Sequence, residues 1–246
     1  MAWGDLVQHK SSYCGTGGQA ETTITVTLDS TPTEGNLLVI TSYCGNGDLT
    51  APSGWSVAHW LIQPVNDDGG GTFYKIAGAS ESTTITSPEA ASANEHVFTV
   101  AEYEGPWDAS PLDQETHNSY TIGNTPRTLT TGTLSQADNL IIGCAVGRLN
   151  ANEPPTYGGN TDGDGANFSG GFSNVDGVWA SSFKFEHQDY KTVSATTAVS
   201  SEWDTVDSNY NGGNIEGLAA FMKGDTGGGG GLFIPVAMRH HRNMRT

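Results

Sequence analysis

The chain echoes itself. Asn36-Leu37-Leu38-Val39-Ile40 leads to Cys44-Gly45, and Asn139-Leu140-Ile141-Ile142-Gly143-Cys144 repeats the theme in the second half. Each half also closes alike, on Ala101-Glu102-Tyr103-Glu104-Gly105 and on Ala220-Phe221-Met222-Lys223-Gly224. An internal repeat constrains a fold strongly, because whatever unit forms once must form twice. The unit here is a set of short strands. Thr22–Leu28 alternates with period two, as a half-buried strand does. Asn36–Tyr43 is a mostly apolar run that suits a central strand. Pro52-Ser53-Gly54 turns the chain into Trp55–Ile62, and Asn66–Gly71 reads as a loop of residues that tolerate positive φ. Thr72–Ala77, Ser82–Thr86 and His96–Tyr103 complete the half.

The second half is expected to follow the same order. Thr128–Leu134 matches the opening strand, Asn139–Val146 the central one, and Pro154-Pro155-Thr156-Tyr157-Gly158 stands for Pro52-Ser53-Gly54-Trp55. Ser181–Glu186 then matches Phe73-Tyr74-Lys75, Lys191–Thr196 matches Ser82–Thr86, and Ile215–Met222 closes the set. The echo starts with an offset of 103 (Asn36 to Asn139) and ends with one of 119 (Gly105 to Gly224). The added residues are expected in the Gly-rich stretch 158–177, as a long surface loop. No window carries an apolar 3.6-residue period with caps, so helix is not expected. The fold class is all-β: a β-sandwich or jelly roll built from two similar halves, with a Gly-linked C-terminal arm. The body spans 1–224, its repeats about 20–106 and 126–224. Two tandem sandwiches and one interleaved sandwich both fit this pattern; the strand-like join from Pro106 to Pro126 favours interleaving.

Composition narrows the partners. Ten Lys and Arg face 27 Asp and Glu, for a net charge of −17. Such a surface repels phosphate backbones, so no nucleic acid is expected. No apolar run reaches membrane-spanning length, so no membrane partner is expected either. Met1-Ala2-Trp3-Gly4-Asp5 has no basic region or apolar core of a secretory signal, which suggests synthesis in a cytoplasm. Three cysteines, Cys14, Cys44 and Cys144, make an odd set with no C-x-x-C pair. They do not look like a disulfide framework, and Cys44 and Cys144, at nearly equivalent places, are expected as small buried core residues.

Chemistry-bearing motifs are scarce. There is no G-x-S-x-G, H-E-x-x-H or P-loop, and no carboxylate pair stands out for glycoside hydrolysis, so no enzyme is expected and no catalytic residue is named. The loop Asn160–Asn167 offers Asp162 and Asp164 as oxygen ligands for calcium, but lacks a closing Glu, and a solvated loop is the favoured reading. No other cofactor is expected. Trp55, Trp60, Trp179, Trp203, Tyr74 and Tyr157 could line a sugar-binding face, although in a sandwich such residues more often fill the core. Tyr157 and Trp179 are the candidates for ligand binding.

The tail is the unmatched part. Gly227–Gly231 makes 225–231 a flexible linker by composition. Beyond it, Leu232, Phe233, Ile234, Pro235, Val236 and Met238 form an apolar patch, and Arg239, Arg242 and Arg245 make the segment basic. Residues 232–246 are expected to act as an assembly arm, adding a strand to an exposed edge of a neighbouring subunit.

One resemblance gathers these elements. Gly35–Val39, Ala51-Pro52-Ser53-Gly54-Trp55, Phe73–Ala77, Ser82–Thr86, Val100–Gly105 and Ser110-Pro111-Leu112-Asp113 together resemble β-sandwich structural proteins of tailed bacteriophage virions, over residues 20–224. The motifs are soft, each a strand plus a turn. The resemblance implies a non-enzymatic virion protein, a head decoration or fibre subunit or a tail-fibre or adaptor component. Its partners would be its own copies and other virion proteins, and its place the virion. A carbohydrate-binding adhesin or receptor-binding module for a host-surface glycan is the alternative, and a glycan-cleaving enzyme a third.

Overall fold

A computed structural model describes residues 1–14, 20–45, 47–63, 67–120, 127–148, 168–180, 184–203 and 214–224. Among them every regular element is a strand. The first half holds β1 (Leu6–Cys14), β2 (Thr25–Thr27), β3 (Leu37–Cys44), β4 (Leu49–Thr50), β5 (Ser56–Gln63), β6 (Asp68–Ile76), β7 (Thr84–Thr86), β8 (Glu89–Ala90) and β9 (His96–Tyr103). The second holds β10 (Trp107–Tyr120), β11 (Arg127–Thr130), β12 (Asn139–Arg148), β13 (Ser173–Ala180), β14 (Lys184–Val193), β15 (Ser200–Trp203) and β16 (Asn214–Lys223).

Two five-stranded antiparallel sheets form the centre, in orders β1-β9-β3-β6-β5 and β10-β16-β12-β14-β13. These are one order written twice. The small pairs β2-β7 and β11-β15 also correspond, and β4-β8 adds a third small pair. The all-β sandwich in two similar halves is thus observed. Neither large sheet mixes strands from the two halves; the halves join in one body through the faces of their sheets and not by interleaving strands within a sheet. Pairing stays within a half, where the loops to be closed are shorter. The repeat is also longer than its sequence echo: β1 and β10 are equivalent and lie ahead of residues 20 and 126. Only Glu104, Gly105 and Pro106 separate β9 from β10.

The halves meet face to face. Leu37, Val39, Ala101 and Tyr103 pack against Leu140, Ile142, Ala219 and Phe221 in one shared core, continued by Tyr43, Val97, Cys144, Val146 and Ile215. β1 lies over β13 and β10 lies over β5, so the stacking has an approximate two-fold axis. The outer faces are covered too. β2-β7 and β4-β8 lay Val26, Ile85, Leu49 and Ala90 on Leu38, Ile40, Phe73 and Phe98. In the second half Leu129, Phe168 and Trp203 cover Ile141, Ala145 and Phe185. Four layers result, which explains why β3, β9 and most of β12 and β16 are buried on both faces. Such strands lose the polar alternation of a solvated sheet and read as apolar runs.

The pairing registers correct the sequence frame. Leu37 and Leu140 are equivalent, as are Ala101 and Ala219, since Ala101 pairs with Val39 and Ala219 with Ile142. The echo at Ala220 is therefore one residue out, and a slip of one would turn the strand's core set outward. Tyr74-Lys75 corresponds to Tyr190-Lys191, because Lys75 pairs with Leu38 and Lys191 with Ile141. Lys191–Val193 thus ends β14, and the partner of the Ser82–Thr86 strand is β15. The counterpart of Pro52-Ser53-Gly54-Trp55 is Ser169-Gly170-Gly171-Phe172, with Gly54 at φ 82° and Gly171 at φ 84°. The insertion accordingly precedes Ser169, and 173–177 belongs to β13 rather than to a loop. In β6, Gly69–Gly71 are strand residues and not a turn. A Cβ at Gly71 would lie 2.6 Å from Trp60 Cα, so glycine there serves close backbone approach. Cys44 and Cys144 are both buried and unpaired in disulfides, as expected. They are not equivalent, since Cys44 packs in the outer core and Cys144 in the shared one.

Candidate functional site

Two polar seams cross the shared core, and duplication relates them. In the first, the carboxyl of Glu186 from the second half meets the hydroxyls of Thr41 and Thr99 from the first, with Thr99 Oγ1 at 2.5 Å. Ser11 Oγ lies 2.8 Å from Thr99 Oγ1 and 2.5 Å from Asp176 Oδ2, and His9 Nδ1 is 3.5 Å from the same Asp176 oxygen. Hydroxyl protons must be counted along this chain. If Ser11 donates to Asp176 and Thr99 donates to Glu186, the Ser11–Thr99 contact has no proton. A protonated Glu186 resolves it: its O–H donates to Thr99, Thr99 to Ser11, and Ser11 to Asp176. Burial raises the Glu186 carboxyl to about 8, with Asp176 and Asp189 adding to the rise and the two threonines opposing it. The group is therefore a neutral donor at pH 7 that ties the halves together. Glu186 is 1% exposed and both threonines are fully buried, so this inner end of the seam is closed, while His9 and Asp176 at its outer end reach solvent.

The second seam occupies the equivalent place with other chemistry. His59 stands where Asp176 stands, His117 where Ser11 stands, and Gly217 where Thr99 stands. The His59 and His117 rings stack with centroids 5.6 Å apart and planes 14° apart. His117 Nδ1 lies 2.5 Å from Glu115 Oε2. Burial, then the His117 charge, lower His59 to about 3, so it stays neutral. Its ring lies on Gly217, where an added Cβ would sit 2.0 Å from Nε2.

Among the described residues an accessible site lies on the outer layer of the first half. A cleft of about 390 Å³ opens beside Trp55, between the turn at Pro52 and strand β7. The turn is closed by Trp55 N–H donating to the Pro52 carbonyl at 3.0 Å and depends on the left-handed Gly54. It sets the half-buried Trp55 against the outer core. Lys75 comes from β6, its Nζ 5.7 Å from the indole centroid, and pairs with Glu81 at 2.8 Å. Ser53, Thr84 and Glu89 stand exposed on the rim. An aromatic face beside a donor, an acceptor and hydroxyls suits a small polar ligand with one apolar face. Sequence reasoning named Trp55 but not its partners; the signal was Tyr-Lys recurring one strand after a Gly-aromatic turn.

The residues expected from sequence to carry function fall elsewhere. Tyr157, Asp162, Asp164 and the arm from Leu232 to Arg245 lie outside the described residues. Trp179 is on β13, paired with Phe185 of β14. Trp60 packs on the first outer core, Trp203 is buried in the second, and Tyr74 packs edge-on to Phe221 in the shared core. Trp203 is thus core, and Trp60 and Tyr74 are partly buried against it, in line with the favoured reading. Among the described residues no group of three or more His, Cys, Asp or Glu is placed to hold a metal ion. No helix among them is long and apolar enough to cross a membrane. No family model, no curated protein and no solved structure matches the chain.

Proposed function

We propose that this chain is a non-catalytic structural protein of a tailed-bacteriophage virion, either a head decoration or fibre subunit or a tail-fibre or adaptor component. It acts as a symmetric homo-oligomer. The observation that carries the reading is the four-layer body, in which the central strands of both large sheets are buried on both faces and the two halves are fused through one core. A body built this way holds its shape under load, as a particle component must. The acidic body carries the basic segment 232–246, which joins it to neighbouring copies or to other virion proteins. Density-gradient purification of particles from infected cells, with quantitative mass spectrometry, tests this. The chain is expected at fixed stoichiometry to the major head or tail proteins, and its absence from intact particles overturns the reading. Deleting residues 232–246 should leave a folded body that is no longer incorporated.

A second reading, a glycan-binding adhesin or receptor-binding module, is favoured by the cleft at Trp55.

A further inference from the structure

The two outer layers allow an internal comparison. In both halves a Gly-aromatic turn places a ring beneath a lysine: Trp55 under Lys75, and Phe172 under Lys191, whose Nζ lies 4.5 Å from the ring centroid. That pairing is what the duplicated unit needs to seal its outer core. Among the described residues the second half completes it with backbone, Lys191 donating to the Gly170 carbonyl at 3.2 Å. The first half adds two things. The ring is an indole, and the lysine is met by the Glu81 carboxylate, where the equivalent position in the second half is Thr197. Glu81 is held in place by its own turn, accepting from Gly78 N–H at 3.3 Å. Its side chain is 12% exposed, so its position is defined while an edge stays open to the cleft. The indole and the carboxylate exceed what the fold requires, and both face the same cleft of about 390 Å³.

We infer that this cleft binds a neutral pyranose sugar, set against the part of the Trp55 indole that Lys75 leaves open to the cleft, with vicinal hydroxyls bridging Lys75 and Glu81. The C–H groups of a pyranose face carry partial positive charge and meet the negative π face of the indole. Lys75 supplies donors and Glu81 acceptors, the pair of functions that two neighbouring hydroxyls satisfy together. Charge selects the sugar class. Glu81 neutralises Lys75, Glu89 on the rim leaves the cleft net acidic, and the chain carries −17 overall, so sialylated or phosphorylated sugars are repelled. The volume leaves room for roughly one or two sugar rings. Ser53 and Thr84 at the rim offer further hydroxyl contacts. This inference rests on the adhesin reading and is independent of the virion one.

The test is an NMR titration of the ¹⁵N-labelled full chain with lactose and cellobiose, with 3′-sialyllactose as the anionic arm. The Trp Nε1–H signals are followed, and Trp55→Phe, which imitates the second half, assigns the Trp55 signal. Lactose or cellobiose at millimolar concentration should shift the Trp55 signal saturably, and sialyllactose should bind more weakly. Glu81→Gln should weaken binding about tenfold, the loss of one charge-assisted hydrogen bond, with the other indole signals unmoved. No shift at Trp55 with either neutral sugar, or equal binding by Glu81→Gln, overturns the assignment, as does preference for sialyllactose. Saturable shifts confined to other tryptophans would overturn this site while leaving the adhesin reading standing. If Glu81→Gln fails to fold, Trp55→Phe serves in its place: unchanged sugar affinity in that variant, read from amide shifts of β7, overturns the inference.

Discussion

Glu186 is a carboxylic acid whose neutral form completes a hydrogen-bond chain between the halves. The folded state keeps this proton up to about pH 8, whereas the unfolded chain releases it near 4.5. The native state therefore binds more protons across that window, and stability falls as pH rises from 4.5 to 8 and levels off above it. His59 and His96 act on the other side. Burial holds them neutral down to about 3 and about 4, so the unfolded chain takes up protons first as pH drops below 6.5, and stability falls toward acid. Glu186→Gln keeps both contacts, its amide donating to Thr99 and its oxygen accepting from Thr41, but cannot ionise. Thermal unfolding of this variant should match the parent at pH 5 and show a higher midpoint at pH 9; equal midpoints at pH 9 would mean that Glu186 does not titrate in this window. Backbone geometry offers a second contrast. Gly54 sits at φ 82° in open space, so Gly54→Ala pays for strain alone, about 1–2 kcal/mol in denaturant unfolding. Gly78, also in open space and without a left-handed φ, should accept Ala at no cost or a gain of a few tenths to about 1 kcal/mol.

Element by element, the strand succession was legible because fully buried strands write themselves as apolar runs such as Leu37–Ile40 and Leu140–Ile142. The frame was less legible. Lys191 was matched to the wrong strand because Lys184 also follows a phenylalanine, and composition cannot distinguish two lysines seven residues apart. Pro154-Pro155-Thr156-Tyr157-Gly158 mimics Pro52-Ser53-Gly54-Trp55 in residue types, yet the structural counterpart is Ser169-Gly170-Gly171-Phe172. What the turn requires is a left-handed residue just before the aromatic, and the β-branched Thr156 ahead of Tyr157 is poorly suited to supply one. β1 went unread because its side chains are half-buried apart from the exposed Tyr13, without alternation. The cleft was half legible: Trp55 stood out, whereas Lys75 and Glu81 come together only through the β6–β7 turn. The Gly-aromatic turn should matter as much in the second half. Phe172 is 8% exposed against the outer core, and Phe172→Ala should cost about 3–5 kcal/mol in chemical denaturation. A loss below 1 kcal/mol would show that the turn carries no packing there.

At the scale of the molecule, the chain is a fused pair. Each half owns an outer core, and the shared core is an interface between two copies of one unit, sealed by apolar strands and crossed by two unlike polar seams. Divergence of those seams, acid and hydroxyl in one and stacked histidines in the other, suits a pair that no longer needs to be symmetric. The two outer faces differ as well, Trp55 with Lys75 and Glu81 on one and Phe172 with Lys191 on the other. Only Glu104, Gly105 and Pro106 link the halves, so the association should survive without the link. The direct measurement is to co-express residues 1–105 and 106–246 as separate chains and record mass and thermal unfolding. A one-to-one complex that melts in a single transition is predicted, with each fragment alone self-associating through its uncovered apolar face. Two soluble monomeric fragments that fold and melt independently would contradict the shared core.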